Sequence, residues 1–331
     1  MTLVYVCALA AAYLFTRLAE RVATVTGFVA APNPLVAQHV RPVPYLGGVA
    51  VLAGLLCGAL VGPHPIGSNK LLVGMVLFTL LGLVDDARPL RPAAKFTLQL
   101  AIALLTVVLG LRATLTGVQL VDDTLMVILV LTLVNAVNIT DVCDGLVASL
   151  GAVALCAAAL VLHPPSPAIY LAGSGACAGF LLRNRPPTRI FLGDAGSHLI
   201  GFLLAAAWIE GIASGGAHNI LRGALVCGVF LFELVFVTAV RIRKGLPWWR
   251  GSPDHFSLRL QAAGWSRARL DTAAALSAVA LAVLAWVESK IGSVLPLLLA
   301  CGFAALVAVY LLRFEVGGQP DPGAHLKTTE R

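Results

Sequence analysis

The stretch that decides the fold lies at residues 124–145 and reads TLMVILVLTLVNAVNITDVCDG. Its first half is apolar, and its second half carries Asn135, Asn138, Asp141 and Asp144. The first three of these are spaced by three residues and therefore share one slowly drifting face of a helix. Polar groups at this density cannot face lipid cheaply. The stretch indicates a membrane helix that ends either in a functional site or in an inter-helix hydrogen-bond cluster.

The whole chain shares this apolar character. Of its 331 residues, 59% are hydrophobic and 12% are charged, whereas a soluble domain has about 25% charged residues. Because each membrane span needs roughly 20 mainly apolar residues, we predict an all-α, polytopic integral membrane protein with about eleven transmembrane helices, ten being the alternative count. The segments around Asn138 are short enough to be kinked or re-entrant. The predicted spans are 3–26, 45–62, 69–84, 94–112, 124–138, 145–162, 168–183, 197–212, 219–240, 269–289 and 291–313.

These spans define one transmembrane domain, residues 1–313, followed by a polar tail at 314–331 that we expect to be disordered. Met1 to Thr16 contains no Lys or Arg, so the first span is read as a membrane helix with its N-terminus outside and not as a cleaved signal. In that orientation the 23 Lys and Arg residues fall on the cytoplasmic side, except Lys70, Arg112, Arg222 and Lys290. The positive-inside rule thus predicts a cytoplasmic C-terminus, and it accounts for the net charge of +7 without a nucleic-acid partner.

Acidic residues are scarce, and several lie at the cytoplasmic ends of the spans. The chain has 16 Asp and Glu residues. Five of them end or begin spans on this one side: Asp85, Asp86, Asp141, Asp144 and Asp194. Converging carboxylates can hold a divalent cation, and a cation beside a membrane suggests phosphate chemistry on a lipid.

Asp85 and Asp86 close the third span. Helix capping explains them poorly, because carboxylates at a helix C-terminus oppose the macrodipole. The next helix begins after Pro92, too far along for either residue to be its N-cap. We interpret the pair as a base or metal ligand whose charge is offset by a cation and by Lys95. By itself, Lys95 is equally well explained as a snorkelling lysine.

Two later segments add candidates. Asp194 precedes the eighth span in FLGDAGS and is either a helix N-cap or a member of the carboxylate group. His255 lies in a basic loop at about 241–268, where it is either incidental or a diphosphate contact. Glu210 and Glu233 lie within spans and are interpreted as helix-packing partners. Earlier in the chain, the pair Gly47-Gly48 allows close approach of another backbone.

Together these segments resemble the polyprenyl-phosphate N-acetylhexosamine-1-phosphate transferases of glycosyltransferase family 4. The motifs, in order, are PVPYLGG at 42–48, LVDD at 83–86 followed by Lys95 and Gln99, NAVNITDVCDGL at 135–146 and FLGDAGS at 191–197. The family consists of polytopic helical proteins with a cytoplasmic, magnesium-dependent site. Its members move a sugar-1-phosphate from a UDP-sugar to undecaprenyl phosphate and release UMP.

The resemblance implies a division of labour among the candidates. Asp194 would ligate Mg²⁺, with Mn²⁺ as a substitute, and Asp141 would help. Asp85 or Asp86 would handle the acceptor phosphate as base or orienter. Lys95 would bind substrate at the phosphates, and Asn138 and Asp144 would lie near the nucleotide-sugar. The diphosphate role of His255 is inferred instead from its polar and basic neighbours in the loop.

The resemblance also implies a place and partners for the protein. It would lie in the bacterial inner membrane with a cytoplasmic active site, and would start a cell-surface polysaccharide. Its partners would be a UDP-sugar, undecaprenyl phosphate and membrane lipid, with a homodimer left open.

The chain departs from the family pattern at some positions. The family motif Asp-Gly-x-Asp-Gly has its first glycine replaced by Val142 in this chain. Unlike glycine, valine cannot easily take a positive φ. The late-loop histidine cluster is reduced to His255. This short loop favours an ordinary UDP-N-acetylhexosamine donor over a peptidoglycan precursor. The alternative function is a transporter or ion-coupled carrier, which would place its charges near the bilayer midplane and often show inverted repeats. An inactive scaffold is disfavoured because the carboxylates are intact.

Overall fold

The computed structural model describes residues 1–30, 42–62, 68–247, 249, 251–314 and 316. The predicted tail therefore lies outside the described residues, apart from positions 314 and 316. The described residues form helices and one short antiparallel pair of strands, β1 and β2. In chain order the elements are α1 (Thr2–Thr26), β1 (Val29–Ala30), β2 (Val43–Pro44), α2 (Gly47–Leu60), α3 (Asn69–Ala87), α4 (Pro92–Val108), α5 (Gln119–Thr140), α6 (Leu146–Val161), α7 (Pro167–Asn184), α8 (Gly193–Gly215), α9 (His218–Val226), α10 (Gly228–Arg243), α11 (Phe256–Ala262), α12 (Arg267–Ile291) and α13 (Leu295–Leu311).

Each predicted span coincides with one of these helices, with a single break. The segment 219–240 is divided at Cys227 into α9 and α10, which are bent by 73°. Helices are the expected form, since in lipid every backbone N–H and C=O must be satisfied within the segment. By length and composition, four of the described helices are suited to cross a membrane, or five if α9 and α10 form one span. The all-α membrane fold is therefore confirmed, while the count of about eleven spans remains a prediction.

Helix α8 occupies the centre of the protein. Its apolar window is 100% buried, compared with 22% for α1 and α12 at the periphery. It packs against α2, α3, α5 and α6. Because α8 begins at Gly193, this arrangement carries Asp194 to a point where several helix ends meet.

Two glycines allow α8 to approach its neighbours closely. A Cβ on Gly82 of α3 would lie 2.3 Å from backbone atoms of Asp194, and one on Gly48 of α2 would lie 2.1 Å from the Gly196 nitrogen. The Gly48 N–H also donates to the Leu192 carbonyl at 2.8 Å. The close backbone approach expected at the Gly47-Gly48 pair is thus confirmed, and the backbone it meets is the one that leads into α8.

Candidate active site

Four helix ends converge on the Lys95 ammonium. Lys95 lies in the first turn of α4, and its Nζ is 2.9 Å from Asp85 Oδ2, near the end of α3. The same Nζ is hydrogen-bonded to Asp194 Oδ2 at the start of α8, and it lies 3.3 Å from Asn138 Oδ1 near the end of α5. We refer to Asp85, Lys95, Asn138 and Asp194 as the site cluster. The structure therefore brings together four residues that are widely separated in sequence.

The Asn138 amide holds the other oxygen of Asp194. Its Nδ2 donates to Asp194 Oδ1 at 2.8 Å and to Ser197 Oγ at 3.0 Å. Ser197 is completely buried, and it had not been singled out from the sequence. Both oxygens of Asp194 are thus held by side chains, so the orientation of this carboxylate is fixed before any substrate binds.

Asp86 performs a different task from Asp85. Its Oδ1 accepts the Asp194 N–H at 2.8 Å, and its Oδ2 accepts the Ala195 N–H at 3.2 Å. These are free N–H groups of the first turn of α8, whose own N-cap, Leu192, supplies no side-chain hydrogen bond. The rejection of capping was therefore wrong for Asp86, because it considered only the next helix in sequence. A carboxylate at the end of α3 caps a helix that begins more than one hundred residues later.

Asp141 lies beside the site cluster, immediately after the end of α5. Withdrawal from solvent raises its pKa well above the usual value, and the nearby charges of Asp194, Asp86 and Asp144 raise it further. Val142, which follows, does not adopt a positive φ, while Gly145 does at 79°. The missing family glycine is therefore accommodated without backbone strain.

Asp144 is turned towards other partners. Its Oδ2 forms an ion pair with Arg267 Nη1 at 3.0 Å, at the start of α12, and accepts the Thr188 N–H at 3.4 Å. The side chain is buried. Asp144 thus joins the loop after α5 to α12 and to the connection between α7 and α8.

His255 is held by Glu233, a residue whose role the sequence did not reveal. Its Nδ1 lies 2.8 Å from Glu233 Oε1, and Glu233 Oε2 accepts the Phe256 N–H at 3.2 Å. Glu233 is completely buried in α10, and His255 is 7% exposed. The interpretation of Glu233 as a helix-packing partner was incomplete, because it fixes both the histidine ring and the start of α11.

A buried ionic network fixes the rest of this late loop. The Arg259 guanidinium donates to Asp254 Oδ1 at 2.6 Å and to the Phe314 carbonyl at 2.7 Å, and Lys244 lies 2.7 Å from the same Asp254 oxygen. Burial acts to raise the pKa of Asp254, but the hydrogen bonds from Lys244 and Arg259 outweigh it and lower the pKa below its usual value. The network ties the His255 loop to α10 and to the end of α13.

A second polar layer lies about one helical turn deeper along α4, α5 and α8. The Leu131 carbonyl accepts from Asn135 Nδ2 at 2.8 Å, and the same Nδ2 donates to Gln99 Oε1 at 3.0 Å. Gln99 Nε2 is then the donor towards His198 Nε2 at 3.0 Å, which places the His198 proton on Nδ1. His198 is completely buried, and its Nδ1 has no hydrogen-bond partner among the described residues.

The site carries the kind of donor that a hard divalent cation prefers, although its carboxylates are not grouped around one point. Asp85 and Asp194 contact the Lys95 ammonium, and Asp86 and Asp141 lie near Asp194, so the site holds more negative than positive charge. Oxygen ligands are those that Mg²⁺ prefers. In the part of the chain that the structure describes, no three His, Cys, Asp or Glu side chains are grouped closely enough to hold a metal. Lys95 holds the position between Asp85 and Asp194.

Comparison with known protein sequences identifies the family of this chain. Residues 69–212, from α3 into α8, match the model of glycosyl transferase family 4. A decaprenyl-phosphate N-acetylglucosaminephosphotransferase of Mycobacterium leprae (strain TN) is 30% identical in an alignment that covers 70% of this chain and 70% of the relative. The chain belongs to glycosyl transferase family 4. The match includes every predicted site residue of this family 4 transferase except His255.

Further relatives of this family 4 transferase carry related names. A probable undecaprenyl-phosphate N-acetylglucosaminyl 1-phosphate transferase of Bacillus subtilis (strain 168) is 27% identical in an alignment that covers 79% of this chain and 77% of the relative. A phospho-N-acetylmuramoyl-pentapeptide-transferase of Picosynechococcus sp. (strain ATCC 27264 / PCC 7002 / PR-6) is 34% identical in an alignment that covers 59% of each chain. The predicted family and the predicted enzyme class, a phosphotransferase, are confirmed.

Proposed function

We propose that this protein transfers a sugar-1-phosphate from a UDP-sugar to undecaprenyl phosphate and releases UMP. The sugar is an N-acetylhexosamine, and the product starts a cell-surface polysaccharide. The reaction takes place at the cytoplasmic face of the bacterial inner membrane and requires Mg²⁺, for which Mn²⁺ substitutes. The relatives' names support the reaction class, since they couple a polyprenyl phosphate with an N-acetylated amino sugar phosphate.

The observation that carries the proposal is the contact of Lys95 with both Asp85 and Asp194 where helix ends meet. Reaction between a lipid phosphate and a nucleotide diphosphate brings two anions together. Positive charge and fixed donors must therefore stabilise the oxygens of the transferred phosphoryl group. Lys95 places one positive charge where helix ends meet, and because the carboxylates of Asp85 and Asp194 outnumber it, the bound magnesium ion would supply the remaining positive charge.

The bonds exchanged are simple. An oxygen of the lipid phosphate forms a new P–O bond to the phosphorus that carries the sugar, and the bridging P–O bond to UMP breaks. Asp85, whose Oδ2 contacts Lys95, is the carboxylate we assign to the acceptor phosphate. Asp86 acts with it by holding the start of α8, and hence Asp194, in place. Lys95 lies at the phosphates.

Asp194 and Asp141 would hold the magnesium ion, which when bound neutralises phosphate charge. Asn138 supports this role because it orients Asp194 through a 2.8 Å hydrogen bond, and we assign it to the nucleotide-sugar side of the site. Asp144 and His255 are each held by an ion pair, Asp144 by Arg267 and His255 by Glu233. We assign both to donor binding.

The proposal is tested with the purified full-length protein, undecaprenyl phosphate, Mg²⁺ and a panel of UDP-sugars, with UMP release as the readout. UDP-N-acetylglucosamine is the expected donor, and UDP-N-acetylmuramoyl-pentapeptide is the comparison, because relatives of both kinds match. Asp194→Asn is expected to abolish turnover. Asp123→Asn is the matched control, since Asp123 pairs with Arg112 away from the site.

Two results would contradict the proposal. A folded protein that releases UMP from none of the donors would exclude the reaction, and an active Asp194→Asn variant would exclude the metal role. The carrier alternative predicts solute uptake into liposomes without UMP release.

A further inference from the structure

A cavity lies beside the connection between α7 and α8, outside the site cluster. Its volume is about 690 Å³. Tyr13 of α1 contributes to one wall, and the end of α7 with the residues that follow contributes the others. These lining residues are Leu182, Arg183, Arg185, Pro186, Pro187 and Arg189.

The lining is positively charged and contains no acidic side chain. Arg183 is neutralised by Glu20 of α1, whose Oε2 lies 2.5 Å from its Nη2. Arg185 and Arg189 are exposed, and no carboxylate of the described residues lies within ion-pair distance of either. Two guanidinium groups thus face a cavity without a counter-charge, which is the condition for binding an anion with fork-shaped hydrogen bonds.

The backbone holds these arginines close together. The Arg189 N–H donates to the Arg183 carbonyl at 3.1 Å and closes the loop on itself. Pro186 and Pro187 within the loop restrict its backbone further. The positive charges are therefore presented by a short, constrained loop and not by a freely moving chain.

Exposed apolar side chains lie beside these arginines. Leu182, which lines the cavity, is 47% exposed, and α1 exposes Leu14 at 63% and Leu18 at 55%. Such apolar surface beside arginines and Tyr13 is typical of the boundary between acyl chains and headgroups. A bare phosphate would fill little of the cavity, whose volume is in the range of pockets for ligands of several dozen atoms.

We propose that this cavity binds the phosphate-bearing headgroup of an anionic phospholipid, with its acyl chains along α1 and α7. Basic pockets between helices on the cytoplasmic side are suited to such headgroups. The site is separate from the catalytic one but linked to it. Asn184 Oδ1 accepts the Gly145 N–H at 2.9 Å, and Thr188 donates to Asp144. An occupied cavity therefore stabilises the loop that follows Asp141.

The test compares two double variants of the full-length protein that each remove two cytoplasmic arginines. Arg185→Gln with Arg189→Gln alters the cavity, and Arg17→Gln with Arg21→Gln alters exposed arginines of α1 that do not line it. Native mass spectrometry in detergent measures binding of phosphatidylglycerol against phosphatidylcholine. The cavity variant is expected to lose affinity for phosphatidylglycerol by about thirtyfold, and the α1 variant by less than about threefold.

Undecaprenyl phosphate, inorganic phosphate and UMP serve as separate probes. Equal losses in the two double variants would show general attraction to charge and overturn the proposal. The proposal would also be overturned if the cavity variant lost binding of one of these probes but still bound phosphatidylglycerol. Thermal unfolding of both variants shows whether each is folded. Since no sugar donor takes part, the result is independent of the proposed transferase reaction.

Discussion

Replacing Asp86 with alanine is expected to loosen the start of α8 and to lower the thermal stability of the protein in detergent. The substitution removes the acceptor of two backbone N–H groups, those of Asp194 at 2.8 Å and Ala195 at 3.2 Å. No side chain of the N-cap residue, Leu192, replaces it. Both donors would then depend on whatever water reaches them.

The size of the effect follows from these two bonds. A hydrogen bond to a charged acceptor contributes about 1.5–3 kcal/mol. The second bond is long and Asp86 is partly exposed, and burial together with the Asp194 and Asp85 carboxylates raises the pKa of Asp86 to about 7, which offsets part of the gain. We therefore expect a loss of about 2–4 kcal/mol for alanine above that pH. Asp86→Asn keeps one neutral acceptor oxygen and should lose roughly half as much.

The assay is the apparent unfolding midpoint of the solubilised protein without substrate or divalent metal. For a chain of this size the unfolding midpoint falls by about 2 °C for each kcal/mol of lost stability, so the alanine variant is expected to have a midpoint lower by roughly 4–8 °C. Asp123→Ala is the control, because its exposed pair with Arg112 contributes little. An unchanged midpoint for Asp86→Ala, or equal losses for alanine and asparagine, would refute the capping role.

Three further predictions concern the surroundings of the site. Gly82→Ala puts a Cβ 2.3 Å from the backbone of α8 and should reduce UMP release by at least about tenfold. Gly302→Ala is the control, because its Cβ meets open space, and equal activities of the two variants would contradict the close packing. In ¹⁵N-histidine NMR spectra, the signal of His198 is identified as the one lost in the His198→Asn variant. This signal should show a neutral ring protonated on Nδ1, and protonation on Nε2 would contradict the direction of the buried hydrogen-bond chain. Glu233→Gln should lower kcat/KM for the donor by about tenfold and be non-additive with His255→Asn; additive losses would show that Glu233 does not act through the histidine.

The sequence predicted the parts of the fold that depend on local pattern. Apolar run length located the helices, and the charge asymmetry placed Asp85, Asn138 and Asp194 at the same membrane face. Side chains at one face and at the ends of neighbouring helices can meet, and these do. The break at Cys227 was missed because the apolar run continues through it.

The remaining errors concern contacts between distant parts of the chain. The Asp86 cap could not be recognised, since nothing in LVDD indicates that its carboxylate meets the first turn of α8. Glu233 was missed for the same reason, because its partner His255 lies across a helix end and a loop. One sequence pattern did indicate the buried hydrogen bonds: Gln99 shares a helical face with Lys95, and in the structure both side chains point into the protein.

The enclosed position of α8 has a consequence for biosynthesis. Most of the helices against which it packs, α2, α3, α5, α6 and α7, precede it in the chain, whereas α9 follows it. When α8 leaves the ribosome, most of the groove that receives it has therefore already been synthesised. A nascent chain that ends at residue 190 would present this groove, with Gly48 and Gly82 on its walls, to lipid. Insertion of α8 would then complete the assembly of the core and deliver Asp194 to its partners in the same event.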